Sequence, residues 1–238
     1  MSDLFQPLDD HPAYRQIAHQ IERKILERAL RRGDPLPSEA DLARQFGVNR
    51  STVREAIREL ETRGLLGRAR GAKRLRVTRP DAQRISADVG RALSLHEVTF
   101  LELWEAMMAI EPAAAAHAAV RRTDAQLQAL ERARVRVRRD AGDTPGAVQA
   151  VIDFFTTVAE ASGNQVLALA QAPLNRLLAP ALSQILERVP QARDRIDHAQ
   201  GMIAAAIGAR HAERARDWME KHIRDFKRGY EIGFARVL

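Results

Sequence analysis

The 238-residue sequence contains no cysteine. That absence excludes a disulfide framework and thiolate metal sites, and it fits a reducing cytosol. Long apolar runs are missing as well. No stretch approaches the ~18 uninterrupted apolar residues that a membrane helix needs, so no membrane association is expected. The opening decapeptide MSDLFQPLDD has no basic segment followed by an apolar run. It does not read as a signal peptide, and a cytoplasmic location is expected. Acid is missing from one stretch in particular: between Thr62 and Pro80 there are seven basic residues and no Asp or Glu. Catalytic patterns are missing too. No Ser/His/Asp constellation, phosphate loop or complete metal-ligand set stands out, which argues against an enzyme.

What is present is enough apolar material, 45% of residues, to build packed cores, in a chain long enough for two domains. The net charge of +7 is unevenly spread. Residues 11–80 carry 17 basic and 8 acidic side chains, whereas residues 81–238 carry 21 and 20. Such asymmetry points to a nucleic-acid-binding module joined to a roughly neutral partner domain.

Tyr14, Ile17, Ile21, Ile25 and Leu30 recur at helical spacing and predict a helix over 13–31. The run Arg32-Gly33-Asp34-Pro35-Leu36-Pro37 breaks it. Ser38-Glu39-Ala40-Asp41 reads as a capping box, and a short helix follows with Leu42, Ala43 and Phe46 inward. Gly47 suits the left-handed residue that ends it. Asn49 can cap the next helix, which runs to about Arg63 with Val53, Ile57 and Leu60 inward. Two short helices with a glycine in the turn between them form the helix-turn-helix pattern. Residues 65–77 then read as two short strands around a Gly-containing turn, a wing packed on three helices. From Gln83 onward only helices are expected, over 83–94, 97–120, 123–140, 144–162, 164–188, 191–209 and 211–236, with Pro112 expected to kink the second. Short connections make neighbouring helices antiparallel. The fold class is therefore mainly α: an N-terminal winged helix-turn-helix and a C-terminal all-α antiparallel bundle. The boundaries are a tail over 1–12, the DNA-binding domain over 13–78, a linker over 79–83 and the helical domain over 84–238.

A recognition helix presents its N-terminal residues to base edges. Here those are Arg50, Ser51, Thr52 and Arg54, with Arg58 further along. Arg can bond a guanine edge in bidentate fashion, and Ser and Thr are adaptable. Asn49 and the helix N-terminus suit a phosphate. Wing residues Arg68, Arg70, Lys73 and Arg74 suit the backbone or the minor groove. An Arg-rich solvated helix would show the same apolar seam; the capped short helix, glycine turn and acid-free wing together favour DNA binding.

The segment from Pro37-Ser38-Glu39-Ala40-Asp41-Leu42 through Phe46-Gly47-Val48-Asn49-Arg50-Ser51-Thr52-Val53-Arg54-Glu55-Ala56 to Leu60 closely resembles the GntR family of bacterial transcription regulators. The resemblance covers residues 13–78. It implies that Arg50, Ser51, Thr52, Arg54 and wing Gly71 contact operator DNA. Where the family often has a further DNA-binding Arg, this sequence has Ala40. The C-terminal half is similar to the helical FadR-type effector domain, called FCD. The likeness rests on Leu103-Trp104-Glu105 through Ile110-Glu111-Pro112-Ala113, on Phe154 through Ala161-Ser162-Gly163-Asn164, and on Ile203 through Met219-Glu220-Lys221-His222. It implies a bundle around one pocket, a homodimer, and operator binding controlled by a small-molecule effector.

Many such domains hold a metal through an Asp and three His. The matching positions here are Val151, Phe155, Gln200 and His222, so neither a metal nor any other cofactor is expected. His198 lies two residues from Gln200, about 200° away around a helix, and Asp153 is likewise off the Phe155 face. An Arg that the family often uses for a carboxylate effector is Met107 here. A pocket of Met107, Val151, Phe155, Gln200 and His222 would be apolar and deformable, fitting an apolar effector; the same side chains would also suit plain core. Two other readings are a ligand-independent dimeric DNA-binding protein with a degenerate bundle, and, least supported, an enzyme.

Overall fold

The computed structural model describes residues 12–68, 74–139 and 142–235, apart from the side chains of the last two. The chain divides into two compact units that meet between Asp81 and Ala82. The first holds helices α1 (Ala13–Leu26), α2 (Glu39–Phe46) and α3 (Arg50–Thr62) and strands β1 (Leu66–Gly67) and β2 (Arg76–Val77). The second holds α4 (Ala82–Leu95), α5 (Phe100–Arg121), α6 (Asp124–Arg139), α7 (Thr144–Ala161), α8 (Gln165–Arg188), α9 (Ala192–Gly208) and α10 (Ala212–Ala235). The fold is mainly α, a winged helix-turn-helix followed by an all-helical bundle.

In the first unit α1 packs on α3 and α2 on α3. Ile17 and Ile21, Leu42 and Ala43, and Val53, Ile57 and Leu60 form one core with Leu66, Leu75 and Val77 beneath the wing. The helix expected over 13–31 ends at Leu26. Arg28 is left-handed (φ 60°) and the Leu30 N–H donates back to the Lys24 carbonyl at 3.0 Å. The spacing of five from Ile25 to Leu30 fits no single helix face; Leu30 reaches the core by this chain reversal instead.

At the start of α2 the Ser38 hydroxyl accepts the Asp41 N–H at 3.2 Å, a cap of the kind that contributes about 1 kcal/mol. The Asp41 carboxyl, fed by the Ser38 hydroxyl and the Arg44 guanidinium, is held below the usual carboxylate range. Gly47 ends the helix at φ 66°.

The wing has the two strands expected, and a further segment bonds to its outer edge. β1 and β2 pair antiparallel, Leu66 opposite Val77 and Gly67 opposite Arg76. On the other edge of β2 lies the segment that reads in the sequence only as a helix breaker. Gly33 N–H donates to the Val77 carbonyl at 2.9 Å, Val77 N–H to the Asp34 carbonyl at 3.0 Å, and Leu36 N–H to the Leu75 carbonyl at 2.9 Å. A two-stranded hairpin alone is marginal in water, and the third segment satisfies the outer face of β2. After the wing the chain returns to the end of α3. Thr78 N–H donates to the Leu65 carbonyl, and its hydroxyl to the Gly64 carbonyl at 2.7 Å. Gly64 is left-handed (φ 75°), and a Cβ there would stand 3.1 Å from Pro80 Cα.

The bundle follows the helix pattern of the sequence within two or three residues at each end. Consecutive helices fold back on one another, α6 on α7, α7 on α8 and α9 on α10, while α5 packs on α7, α8, α9 and α10. Pro112 lies inside α5, and Pro173 and Pro180 inside α8; each helix continues through its proline. Thr99 and Glu102 close a full capping box at the start of α5. The core is Leu, Ile, Val, Ala and Phe, with Phe154, Phe155, Leu130, Leu178, Leu182, Ile203 and Ile223 among its sealed side chains.

Candidate nucleic-acid interface and effector site

Asn49 occupies the N-cap position of α3 with extended backbone (φ −70°, ψ 151°), but its side chain makes no capping hydrogen bond. This corrects the expectation that Asn49 caps the helix. The first backbone N–H groups of α3 therefore have no side-chain acceptor, and helix N-terminal N–H groups attract anions. Arg50, Ser51, Arg54 and Arg58 are exposed and Thr52 half-buried, on the side of α3 opposite Val53, Ala56, Ile57 and Leu60. Arg50 and Arg58 form no ion pair with a described residue.

Arg54 differs from the others. Its Nε and Nη2 donate to Glu39 Oε2 at 3.2 and 3.0 Å. Glu39 opens α2, so the pair ties the start of the first helix of the motif to the second turn of the recognition helix. The sequence reading treats Glu39 as part of a capping segment and misses this role. The capping acid is Asp41, and a contact spanning fifteen residues leaves no local periodic signal.

Of the seven basic residues between Thr62 and Pro80, three are occupied internally. Arg63 pairs with Glu22 at 3.0 Å and with Glu59. Arg68 pairs with Glu61 at 2.5 Å, and Arg76 Nη1 donates to the Gly33 carbonyl at 2.7 Å. The acid-free stretch is thus neutralised in part by acids from α1 and α3, which narrows the expected clamp. Arg74 is exposed and forms no ion pair with a described residue. Arg70, Gly71 and Lys73 lie outside the described residues.

In the bundle, Met107, Val151, Phe155, Gln200 and His222 are all sealed, none more than 2% exposed. The Phe155 ring stacks on the His222 imidazole, centroids 5.6 Å apart and planes 12° apart, and Phe226 packs on the same imidazole at 4.7 Å. Burial alone drives the His222 pKa down to about 3, so the ring is neutral at physiological pH. His222 Nε2 and both amide atoms of Gln200 are buried with no hydrogen-bond partner. A cavity of about 20 Å³, room for one water, adjoins His222 between Ile185, Ile196 and Phe226, beside the Arg195–Asp225 ion pair.

A metal does not fit this donor set. Val151 and Phe155 offer hydrocarbon where the resemblance implies ligands, and the Phe155 ring covers one face of the His222 imidazole. His198 is exposed, edge-on to Trp218 at 5.7 Å, and Asp153 pairs with Arg136. Among the described residues no three His, Cys, Asp or Glu side chains come together.

The sequence reading also passes over a buried acid. Glu111 is 0% exposed, and no donor stands in good hydrogen-bonding geometry to either carboxylate oxygen. Burial pushes its carboxyl up to about 8, against an opposing pull from the nearby Gln171 amide. Glu111 falls in the stripe Leu103, Met107, Ala115, Ala118 of α5, so its burial was open to the same periodicity argument that marks the core.

These features define a class: a DNA-binding transcriptional regulator with a helical effector domain. Residues 13–73 match the family described as "Bacterial regulatory proteins, gntR family", and residues 102–225 match the FCD domain. The chain is 30% identical over 178 residues to the HTH-type transcriptional repressor NanR of Cronobacter sakazakii, covering 73% of this chain and 68% of that protein. It is 25% identical over 222 residues to NanR of Citrobacter rodentium, covering 92% and 85%. Its structure is similar to that of Streptococcus agalactiae GntR, with a TM-score of 0.61 and 27% identity over 90% of this chain and 99% of that one. The chain belongs to the GntR family of bacterial regulators, in the branch with an FCD effector domain. No helix of the described residues is long and apolar enough to cross a membrane.

Proposed function

We propose that the protein binds a pseudo-palindromic operator as a homodimer in the cytoplasm, and that a small molecule with an apolar body, held in the bundle core, sets its operator affinity. It turns nothing over. Arg50, Ser51, Thr52, Arg54 and Arg58 read base edges. Asn49 and the N–H groups behind it take a phosphate, and Arg70, Gly71, Lys73 and Arg74 hold the backbone beside the wing. The observation that carries this reading is the start of α3: a helix N-terminus without a side-chain cap, flanked by an exposed Arg50 that has no ion pair among the described residues. A single helix-turn-helix buries too little surface for tight specific binding, which is why a dimer on two half-sites is part of the reading.

The wing contribution is measured by salt titration. Replacing Lys73 and Arg74 together with Ala should reduce the slope of log affinity against log salt by about one unit per lost phosphate contact. Fluorescence anisotropy on a labelled operator reads this directly, and an unchanged slope would remove the wing from the interface.

For the bundle, an apolar ligand would gain about 25 cal/mol per Å² of buried apolar surface against Met107, Val151 and Phe155. Its effect on operator affinity should correspond to a coupling of typically 1–3 kcal/mol. Elemental analysis of tag-free protein should find no stoichiometric metal. Zinc, nickel or manganese at one per chain, lost in His222→Ala, would overturn this reading of the core. Selective stabilisation by a small sugar acid would overturn the apolar site.

A further inference from the structure

Three side chains are sealed inside the helical unit with polar atoms that no described partner meets in good hydrogen-bonding geometry: Glu111 on α5, Gln200 on α9 and His222 on α10. A purely hydrocarbon effector would pack against Met107 and Phe155 and leave every one of those atoms as it found it. Glu111 is the one that can carry a full charge. Its helix face is otherwise apolar, and the residue one turn before it, where a paired cation would commonly stand, is Met107.

The polar side chain that bears on Glu111 is Gln171 of α8. Gln171 Nε2 donates to Asn175 Oδ1 at 2.9 Å, and Asn175 Nδ2 donates to Thr156 Oγ1 at 3.1 Å. Gln171 and Asn175 are buried. This chain of amides leads from the neighbourhood of Glu111 on α5, across α8, to the residue next to Phe155 on α7. An acid, a polar track and an apolar lining thus lie in one core.

We propose that the effector is an amphipathic amine, its apolar body against Met107, Val151 and Phe155 and its ammonium group received by the Glu111 carboxylate. This rests on the reading of the bundle as an effector site. An ammonium brings the positive charge that no neighbour of Glu111 supplies, in a charge-assisted pair that is strong where water is excluded. A carboxylate effector would place two anions in one dry core. The step balances in protons. In the free protein the carboxyl is mostly protonated at neutral pH, because burial holds it near 8; the ammonium binds and the displaced proton leaves to solvent. Of the groups on the helices packed against α5, the Gln171 amide of α8 bears on the carboxyl, while Gln200 of α9 and the neutral His222 of α10 line the same core.

The test uses the full-length protein with probes matched in apolar body and different in charge: hexylamine and 3-phenylpropylamine, hexanoate and 4-phenylbutanoate, and hexanol. Thermal shift should show saturable stabilisation by the amines and none by the carboxylates. Calorimetry at pH 7 in phosphate and in Tris should give heats that differ by the buffer ionisation heat, for close to one proton released per amine bound. Glu111→Gln should bind amines at least tenfold more weakly and release no proton. Met107→Lys places a tethered ammonium one turn from Glu111, and it should be more heat-stable than the parent and no longer bind amines; it carries the test if Glu111→Gln does not fold. Amine binding that both variants retain would overturn the proposal. Selective binding of a carboxylate or of hexanol, with a change in operator affinity, would overturn the amine and leave the effector reading standing. Binding by no probe of any charge would overturn both.

Discussion

Across a pH series, unfolding of the helical unit is expected to show a stability plateau between about pH 4.5 and 6.5, with a falling limb on each side set by Glu111 and His222. Glu111 has a carboxyl raised from 4.5 to about 8 by burial. The stability tied to that raised pKa is complete below 4.5 and is lost as pH rises toward 8. His222 has a pKa lowered from 6.5 to about 3, also by burial. Its unfolded form binds a proton below 6.5 that the folded form refuses, so stability falls as pH drops from 6.5 toward 3. Between 4.5 and 6.5 the two slopes are opposite and nearly cancel. Outside that window one acts alone, at about 1.4 kcal/mol per pH unit. Each limb therefore costs about 2 kcal/mol, from 6.5 to 8 on the alkaline side and from 4.5 to 3 on the acid side. Glu111→Gln should abolish the alkaline limb and make the protein more stable than the parent at pH 8. His222→Gln should abolish the acid limb. Denaturant titrations of parent and variants at the same pH values isolate each group by difference, and parallel curves would show that the group titrates in the folded state as it does in the unfolded chain.

A second large effect is expected at the recognition helix. Arg50→Ala and Arg54→Ala should each lower operator affinity by roughly 1–3 kcal/mol and relax base preference at the position each reads. The Glu39 contact adds a discriminating variant. Glu39 binds Nε and Nη2 of Arg54 through one oxygen, so it fixes the plane of the guanidinium and leaves Nη1 for other partners. Glu39→Gln removes a negative charge beside the phosphates while loosening Arg54. Binding to random DNA should strengthen slightly, and the ratio of operator to random affinity should fall. Anisotropy titrations on operator and scrambled duplexes at one salt concentration read both numbers. An unchanged ratio would mean that Arg54 needs no orientation from Glu39, and equal losses for Arg54→Ala on both duplexes would assign it to phosphate.

Much of this was legible in the sequence, because the strongest signals are local. The stripe Val53, Ile57, Leu60, the Ser38 cap and Gly47 each act within one or two helical turns, and the structure forms them as the spacing implies. The seven bundle helices follow for the same reason. What escaped was non-local. The third wing segment is a Pro- and Gly-containing stretch whose strand character comes only from its hydrogen bonds to β2, some forty residues later in the chain. Glu39 and Arg54 meet across a turn, and the acids that neutralise Arg63 and Arg68 come from other elements. In the bundle, alignment of positions offered Met107, Val151, Phe155, Gln200 and His222 as an effector pocket or as plain core, and all five are buried, which suits either. Glu111 was quoted only as part of a motif, although its place in the stripe Leu103, Met107, Ala115 and Ala118 already put it on the buried face of α5.

The contact between Gly64 and Pro80 has a mechanical meaning. The chain leaves the DNA-binding unit by running back against the end of the recognition helix, where Thr78 is tied to Gly64 and Leu65, and a methyl group on Gly64 would stand only 3.1 Å from Pro80 Cα. The outgoing chain is therefore anchored just past the end of α3. A pull on residue 80 is felt first just beyond the C-terminal end of α3, the end opposite Arg50, Ser51 and Thr52. The linker thus begins as part of the DNA-binding unit's own fold and not as a free tether.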